Sequence, residues 1–285
     1  MEISTETIDL GALSFIADVG GDGDLVVLLH GFPHSRHTWR HELPALVDAG
    51  FSVCAPDQRG YSAGARPTEI DDYRVELLMA DVLGLADARG ADRFHLVGHD
   101  WGGQIGWCLA AHHPDRVRSL AVLSRPHPQA FIRAFSTDPD QAARSSHHRA
   151  HQRPEATDDW LADGASSLRS LYAAWGVPPA TAATYLETLG ERDALDAAIN
   201  WYRAAPRSEI TPGDLPAIDV PTLYVWGTAD ATVGEIAATG TSDFVTGPYR
   251  FEALEGFGHT VPDEEAGVFT ALLLEHLAAH GRSEA

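Results

Sequence analysis

The stretch Gly98-His99-Asp100-Trp101-Gly102 sets a glycine two positions before and two positions after an aspartate, between a strand-like and a helix-like segment. A chain doubles back from strand into helix only where the flanking side chains are small. The spacing therefore predicts a sharp strand–turn–helix with the aspartate at its tip. A carboxylate there also lies at a helix N-terminus, whose dipole favours negative charge. An aspartate that merely caps the helix would occupy the same place, so the turn alone does not separate chemistry from structure.

The segments around the turn repeat its rhythm. Leu25 to Leu29 is a continuous apolar run, as expected of a strand buried on both faces of a parallel sheet. His30-Gly31-Phe32-Pro33 follows it, then an amphipathic helix near Thr38 to Ala49, closed by Gly50. Phe51 to Ala55 reads as the next strand and leads into Asp57-Gln58-Arg59-Gly60. Asp72 to Ala88 is helical, Arg93 to Val97 a strand, Gly102 to His112 a helix and Leu120 to Leu123 a strand. This alternation predicts an α/β fold built on a doubly wound, mostly parallel sheet. From about Arg125 the character changes: Pro126 to about Ile218 has helical periods and no strand. After Pro221 the rhythm resumes, with strands at Thr222 to Trp226 and Tyr249 to Leu254 and a helix from about Asp263 to His280. The expected organisation is a core domain of residues 1–125 and 219–285, with a helical cap domain, 126–218, inserted over the sheet's C-terminal edge. That edge is where open α/β sheets bind ligands.

Composition narrows the chemistry. The 285 residues suffice for a core domain with an insertion, and no apolar run approaches the length of a membrane span. The N-terminus lacks the basic start and apolar stretch of a secretion signal, which predicts a cytoplasmic protein. A net charge of -21 argues against nucleic acid and anionic membrane surfaces as partners. The chain contains no lysine, which excludes Schiff-base chemistry and a lysine-anchored pyridoxal group. Cys54 and Cys108 read as small core residues in a reducing compartment. The pairs His112-His113 and His147-His148, with His151, lack a glutamate at zinc-protease spacing, so neither a metal nor another cofactor is expected.

Asp230 follows the strand Leu223 to Trp226 in the loop Gly227-Thr228-Ala229-Asp230, and His259 follows the next strand in Gly256-Phe257-Gly258-His259. Nucleophile, acid and histidine come in the order of an α/β triad, each just past a strand end. A turn aspartate or a surface histidine explains each residue singly and explains the three together poorly. The backbone N–H groups of Phe32 and Trp101 are the expected oxyanion hole.

Together His30-Gly31-Phe32-Pro33, Asp57-Gln58-Arg59-Gly60-Tyr61, Gly98-His99-Asp100-Trp101-Gly102-Gly103 and Asn200-Trp201-Tyr202-Arg203 resemble the epoxide hydrolase branch of the α/β-hydrolases, over nearly the whole chain. The resemblance implies that Tyr202 donates a proton to the epoxide oxygen. The family generally pairs that tyrosine with an earlier one. Here Ser145-Ser146-His147-His148 stands in the corresponding region, and His147 is the expected second donor, against the plainer reading of a solvent-facing histidine. Trp39, Trp201 and His148 are expected in the substrate pocket; Trp107, Phe131 and Trp175 are further candidates, although buried aromatics are more often plain core.

The implied reaction is attack of Asp100 on carbon, giving an alkyl ester that water, activated by His259 and Asp230, hydrolyses to a vicinal diol. A serine ether would be a dead end; an aspartyl ester is not. The expected partner is a small apolar epoxide-bearing substrate, met by a monomer or a homodimer. The rival readings are a haloalkane dehalogenase, an epoxide-opening cyclase and a non-catalytic ligand binder of the same fold. The dehalogenase reading is weakened by Phe32, which stands where a halide-binding asparagine is common.

Overall fold

Eight strands occur in chain order: β1 (Ser4–Leu10), β2 (Leu13–Gly20), β3 (Leu25–Leu29), β4 (Ser52–Pro56), β5 (Phe94–His99), β6 (Val117–Leu123), β7 (Thr222–Gly227) and β8 (Tyr249–Leu254). In the computed structural model, which describes residues 2–281, they form one sheet in the order β1-β2-β4-β3-β5-β6-β7-β8. Strands β3 to β8 pair in parallel, while β1 and β2 form an antiparallel hairpin joined to the sheet through β4.

The hairpin was not expected from the sequence. In β1 only Ile8 is buried and the other positions are mostly polar and exposed, so the strand carries almost no core pattern. Charged, exposed residues on an edge strand discourage pairing with another chain. The remaining strands lie within a few residues of their expected positions. The helix expected over Thr38 to Ala49 is instead a short 3-10 turn, Arg36–Trp39, followed by α1 (Glu42–Asp48).

Alternation along the central strands divides the core in two. Val26 and Leu28 of β3, Val97 of β5 and Leu223 and Val225 of β7 face one side, with Leu43 and Leu46 of α1. Leu25, Val27 and Leu29 of β3, with Leu96 of β5 and Tyr224 of β7, face the other. There they meet Leu78, Val82 and Leu85 of α2 (Val75–Ala88) and Ile105 and Leu109 of α3 (Trp101–His112). Strands buried on both faces need apolar residues at every position, which is why the runs at β3 and β7 are unbroken.

Between β6 and β7 the described residues form helices and no strand: α4 (Pro128–Thr137), α5 (Pro139–Arg144), α6 (His147–His151), α7 (Ala156–Ala174), α8 (Pro179–Leu189) and α9 (Arg192–Ala204). Past β7 come α10 (Glu235–Thr239) and α11 (Val261–His280), the latter adding Phe269, Leu273 and Leu277 to the α1 side of the core. The helical segment is tied to the strand-end loops. The indole N–H of Trp201 in α9 donates to the carbonyl of Arg59 at 2.8 Å, and the hydroxyl of Tyr185 in α8 donates to the Asp263 carboxylate at 2.8 Å. Arg59 is itself gripped by both oxygens of Asp81 at 2.7 Å. The Asp57-Gln58-Arg59-Gly60 stretch thus carries α9. No helix among the described residues is long and apolar enough to cross a membrane.

Candidate active site

Asp100 sits at the tip of the β5–α3 turn with φ 51 and ψ -114, a backbone conformation that costs a non-glycine residue about 1–3 kcal/mol. The flanking residues must be small, as the sequence predicts: a Cβ on Gly102 would stand 2.2 Å from the carbonyl oxygen of Leu29. Gly31 answers a second close approach, because a Cβ there would lie 2.6 Å from Asp100 Oδ1. With that space open, the N–H of Phe32 donates to Asp100 Oδ1 at 3.0 Å. Trp101 opens α3, where a first-turn N–H has no intrahelical acceptor. Of the two expected oxyanion donors, the Phe32 N–H thus meets the carboxylate, and the Trp101 N–H belongs to the first turn of the helix that Asp100 precedes.

His259 presents Nε2 to Asp100 Oδ2 at 3.9 Å, while its Nδ1 meets Asp230 Oδ2 at 3.1 Å. Burial alone would lower the His259 pKa, but the charges of Asp230 and Asp100 and the hydrogen bond to Asp230 raise it above the ordinary imidazole value. Burial likewise pushes the Asp230 carboxyl up. The His259 interaction and hydrogen bonds from Ser124 and the Thr232 backbone overcome this and hold it well below the usual carboxylate range. His99 fixes the loop from beneath, its Nε2–H donating to the carbonyl of His259 at 2.8 Å.

Two residues of this network were missed in the sequence. The Ser124 hydroxyl donates to Asp230 Oδ2 at 2.6 Å and lies 2.8 Å from His259 Nδ1. Thr232 donates to Asp230 Oδ1 from its N–H at 2.7 Å and its hydroxyl at 2.8 Å. Ser124 does so from a left-handed backbone, φ 64, just past the end of β6. Nothing in a lone serine after a strand announces that. Thr232, two residues after Asp230, fits a turn in which an aspartate accepts from the backbone two positions on.

A cavity of about 230 Å³ opens over Asp100 and His259 and is walled by Tyr202, His147, His151, Trp160 and Trp175. Trp175 tilts over His259 at 4.9 Å between ring centroids. Burial, then the neighbouring Asp100 charge, hold the Tyr202 hydroxyl well above the ordinary phenol range, partly offset by a hydrogen bond from Trp101. Tyr202 therefore stays protonated. His147 reaches this cavity, but its Nδ1–H donates to the carbonyl of Arg144 at 2.9 Å. Burial lowers its pKa, and a neutral imidazole with its proton on Nδ1 has a bare Nε2. His147 is thus poorly set to donate. His151, not among the expected site residues, stands closer to Tyr202, 4.4 Å between ring centroids against 6.4 Å for His147. The signal that would have found it is its spacing of four from His147, which shares a helix face.

Three pocket expectations are corrected. Trp39 is fully buried on the α1 side of the sheet against Phe269 and touches no part of the cavity over Asp100. Trp201 and His148 line a separate cavity. Of the further candidates, Trp107 is core and donates to the carbonyl of Arg125 at 3.0 Å. Cys54 and Cys108 are free and buried, their thiols pushed up to about 12 by burial. Among the described residues no three His, Cys, Asp or Glu side chains converge as a metal centre requires.

A sequence profile of the alpha/beta hydrolase fold matches residues 24–266. Epoxide hydrolase A of Mycobacterium tuberculosis is 35% identical across 92% of this chain and 93% of that protein. A solved structure of a novel epoxide hydrolase from metagenomes of hot environments superposes with a TM-score of 0.86 at 30% identity, covering 98% of this chain and 100% of that one. The epoxide hydrolase of Bacillus megaterium in complex with an inhibitor gives 0.88 at 25% identity, covering 96% and 100%.

Proposed function

This chain belongs to the α/β-hydrolase family, in its epoxide hydrolase branch, and from that premise we infer that it opens an epoxide to a vicinal diol through an ester on Asp100. The observation that carries the reading is the pairing at Asp100. One carboxylate oxygen is held by the Phe32 N–H at 3.0 Å, and the other faces His259 Nε2 at 3.9 Å, too far for a direct bond and open to the cavity.

Asp100 Oδ2 attacks an epoxide carbon, the carbon–oxygen bond breaks, and the alkoxide takes a proton from Tyr202. In place of His147 we assign the second hydrogen bond to His151, whose pKa burial lowers to about 3, so that it acts as a neutral donor. His259 then removes a proton from water, which attacks the ester carbonyl while the N–H groups of Phe32 and Trp101 hold the oxyanion. The tetrahedral adduct then collapses, the departing alkoxide takes the proton held by His259 to complete the diol, and the proton left on the Asp100 carboxyl returns to the Tyr202 phenolate, restoring all three groups. Asp230, with Ser124 and Thr232, orients the imidazole and steadies its charge.

Ester formation also prepares the second step. The Asp100 carboxylate helps to raise the His259 pKa. Alkylation removes that charge, so the pKa falls when the imidazole must be neutral to act as a base.

We place residues 126–218 as a cap domain over a core of 1–125 and 219–285, a division supported by the hydrogen bonds from Trp201 and Tyr185 to strand-end loops. Residues 1 and 282–285 of that core range lie outside those described. The buried free cysteines fit a reducing, cytoplasmic setting. The test is the intact mass of His259→Gln protein after exposure to epoxides and, separately, to haloalkanes. An adduct equal to the whole epoxide, mapped to Asp100, upholds the reading. An adduct equal to the haloalkane less its halide would transfer the site to dehalogenation.

A further inference from the structure

Outside the cavity over Asp100, between α6 and α7, lies a second cavity of about 240 Å³. His147, His151 and Trp160 line both, so the same three side chains form the wall that divides them. The cavity beside Trp201 and His148, by contrast, shares no lining residue with the one over Asp100. The outer cavity is completed in part by Ala150 of α6 and by Ala156 and Ser167 of α7. Two charged residues also line it, Arg153 and Asp159, and they pair with each other, so its walls offer no uncompensated charge.

Trp160 is the movable part of the dividing wall. Its ring stands 5.5 Å from that of His151 and 6.2 Å from that of Phe32, between centroids. Among the described residues no hydrogen bond holds its indole N–H, whereas Trp107, Trp201 and Trp226 each donate to a backbone carbonyl. A ring kept by packing alone shifts without breaking a hydrogen bond. The outer side is shaped by a break in α7, where Asp163, Gly164 and Ala165 take left-handed backbone with φ 50, 68 and 61. The break folds the helix back: Ser167 Oγ donates to the carbonyl of Asp159 at 3.5 Å, although eight residues of unbroken helix would set them about 12 Å apart. Left-handed backbone at residues that carry a Cβ is disfavoured and is kept where the surrounding structure uses it. Here it bends α7 around the outer cavity.

We propose that the route from solvent to Asp100 runs between α6 and α7, that the outer cavity takes the far end of an uncharged apolar arm on the epoxide, and that Trp160 sets how wide an arm can pass. The proposal rests on the epoxide hydrolase reading and deepens it, making Trp160 a specificity-determining residue of that site. Long straight arms are then favoured over short or branched ones, because each methylene that passes the wall is buried in the outer cavity.

The test uses terminal epoxides of straight-chain alkanes, from butane to decane, and octyl glycidyl ether beside an isomer branched along the arm. In wild type kcat/KM should rise along the alkane series, and the straight ether should outpace its branched isomer by about 10-fold. Ala150→Trp and Ser167→Trp, at exposed positions on α6 and α7, should each fill the outer cavity. Each should lower the decane-to-butane ratio of kcat/KM by about 10-fold, as expected when about two methylenes lose their burial. Trp160→Ala should bring the ratio of the isomeric ethers close to one. A decane epoxide turned over no better than the butane epoxide overturns the proposal using wild-type protein alone, whatever the variants do to folding. Tryptophan variants that fold as wild type by circular dichroism yet leave the decane-to-butane ratio unchanged also overturn it. An ether ratio unchanged in Trp160→Ala removes Trp160 as the determinant. Should no epoxide turn over, the hydrolase reading fails and calorimetry with octanamide decides the outer cavity separately. Binding about 10-fold weaker in both tryptophan variants than in wild type upholds the cavity as a binding site; equal binding removes it.

Discussion

The two halves of the site are held in different ways. On the sheet side, Asp100, Asp230 and His259 each stand one to five residues beyond a strand end, and each side chain is held by at least one directed hydrogen bond from a neighbouring loop. On the helical side, Tyr202, His147 and His151 come from α6 and α9, and ring packing against Trp101, Phe32 and Trp160 sets their positions. Strand-end groups that carry charge through the reaction gain from fixed dipoles, which need not reorganise as charge moves. Donors that act only on a leaving oxygen need a proton and a direction, which packed rings supply. Substitutions on the sheet side should therefore abolish steps, and those on the helical side should slow them.

The largest effect is expected for Asp100→Ala: loss of turnover by at least about 10⁴-fold, with no covalent adduct in the intact-mass spectrum. A variant that retained turnover would move the nucleophile elsewhere. His259→Gln should divide the two steps, with one equivalent of epoxide consumed and the ester then persisting; continued diol release would show that the base lies elsewhere. On the helical side Tyr202→Phe should lower the alkylation rate by about 10²–10³-fold in single-turnover measurements while leaving ester hydrolysis much less affected. His151→Phe should slow alkylation more than His147→Phe, and the reverse order would return the second donor role to His147.

A pH profile sharpens the contrast further. In the free enzyme Asp230 and Asp100 hold the His259 pKa above its ordinary value, so the imidazole loses its proton only as pH rises past that raised value. In the ester the Asp100 contribution is gone. The acid limb of ester hydrolysis should thus lie at lower pH than the His259 titration followed by NMR in the resting enzyme. A limb at the same pH or higher would contradict the electrostatic account. The smallest effect is expected for Ser124→Ala: a loss of about 1–3 kcal/mol of stability from an Asp230 carboxylate short of one donor, read by denaturant unfolding, with the triad residues all in place.

The same division governs what could be read before the fold was seen. The Asp100 turn, both later triad residues and the change to helices after Arg125 are local patterns: glycine spacing, strand-end position, and a switch from short continuous apolar runs to helical periods. The β1–β2 hairpin was lost because only Ile8 of β1 reaches the core. Trp39 and Trp201 look alike in sequence, yet one packs beneath the sheet on Phe269 and the other hangs α9 from the Arg59 carbonyl.

By itself, then, the sequence determined the sheet, the nucleophile and the order of the triad, because chain geometry within a few residues dictates each of them. The tertiary structure alone decided that Ser124 joins Asp230 to His259 and that the Nδ1–H of His147 donates to the backbone carbonyl of Arg144. Those outcomes depend on which residue, distant in the chain, supplies the facing atom. Local periodicity carries no information about that partner until the helices have packed over the sheet.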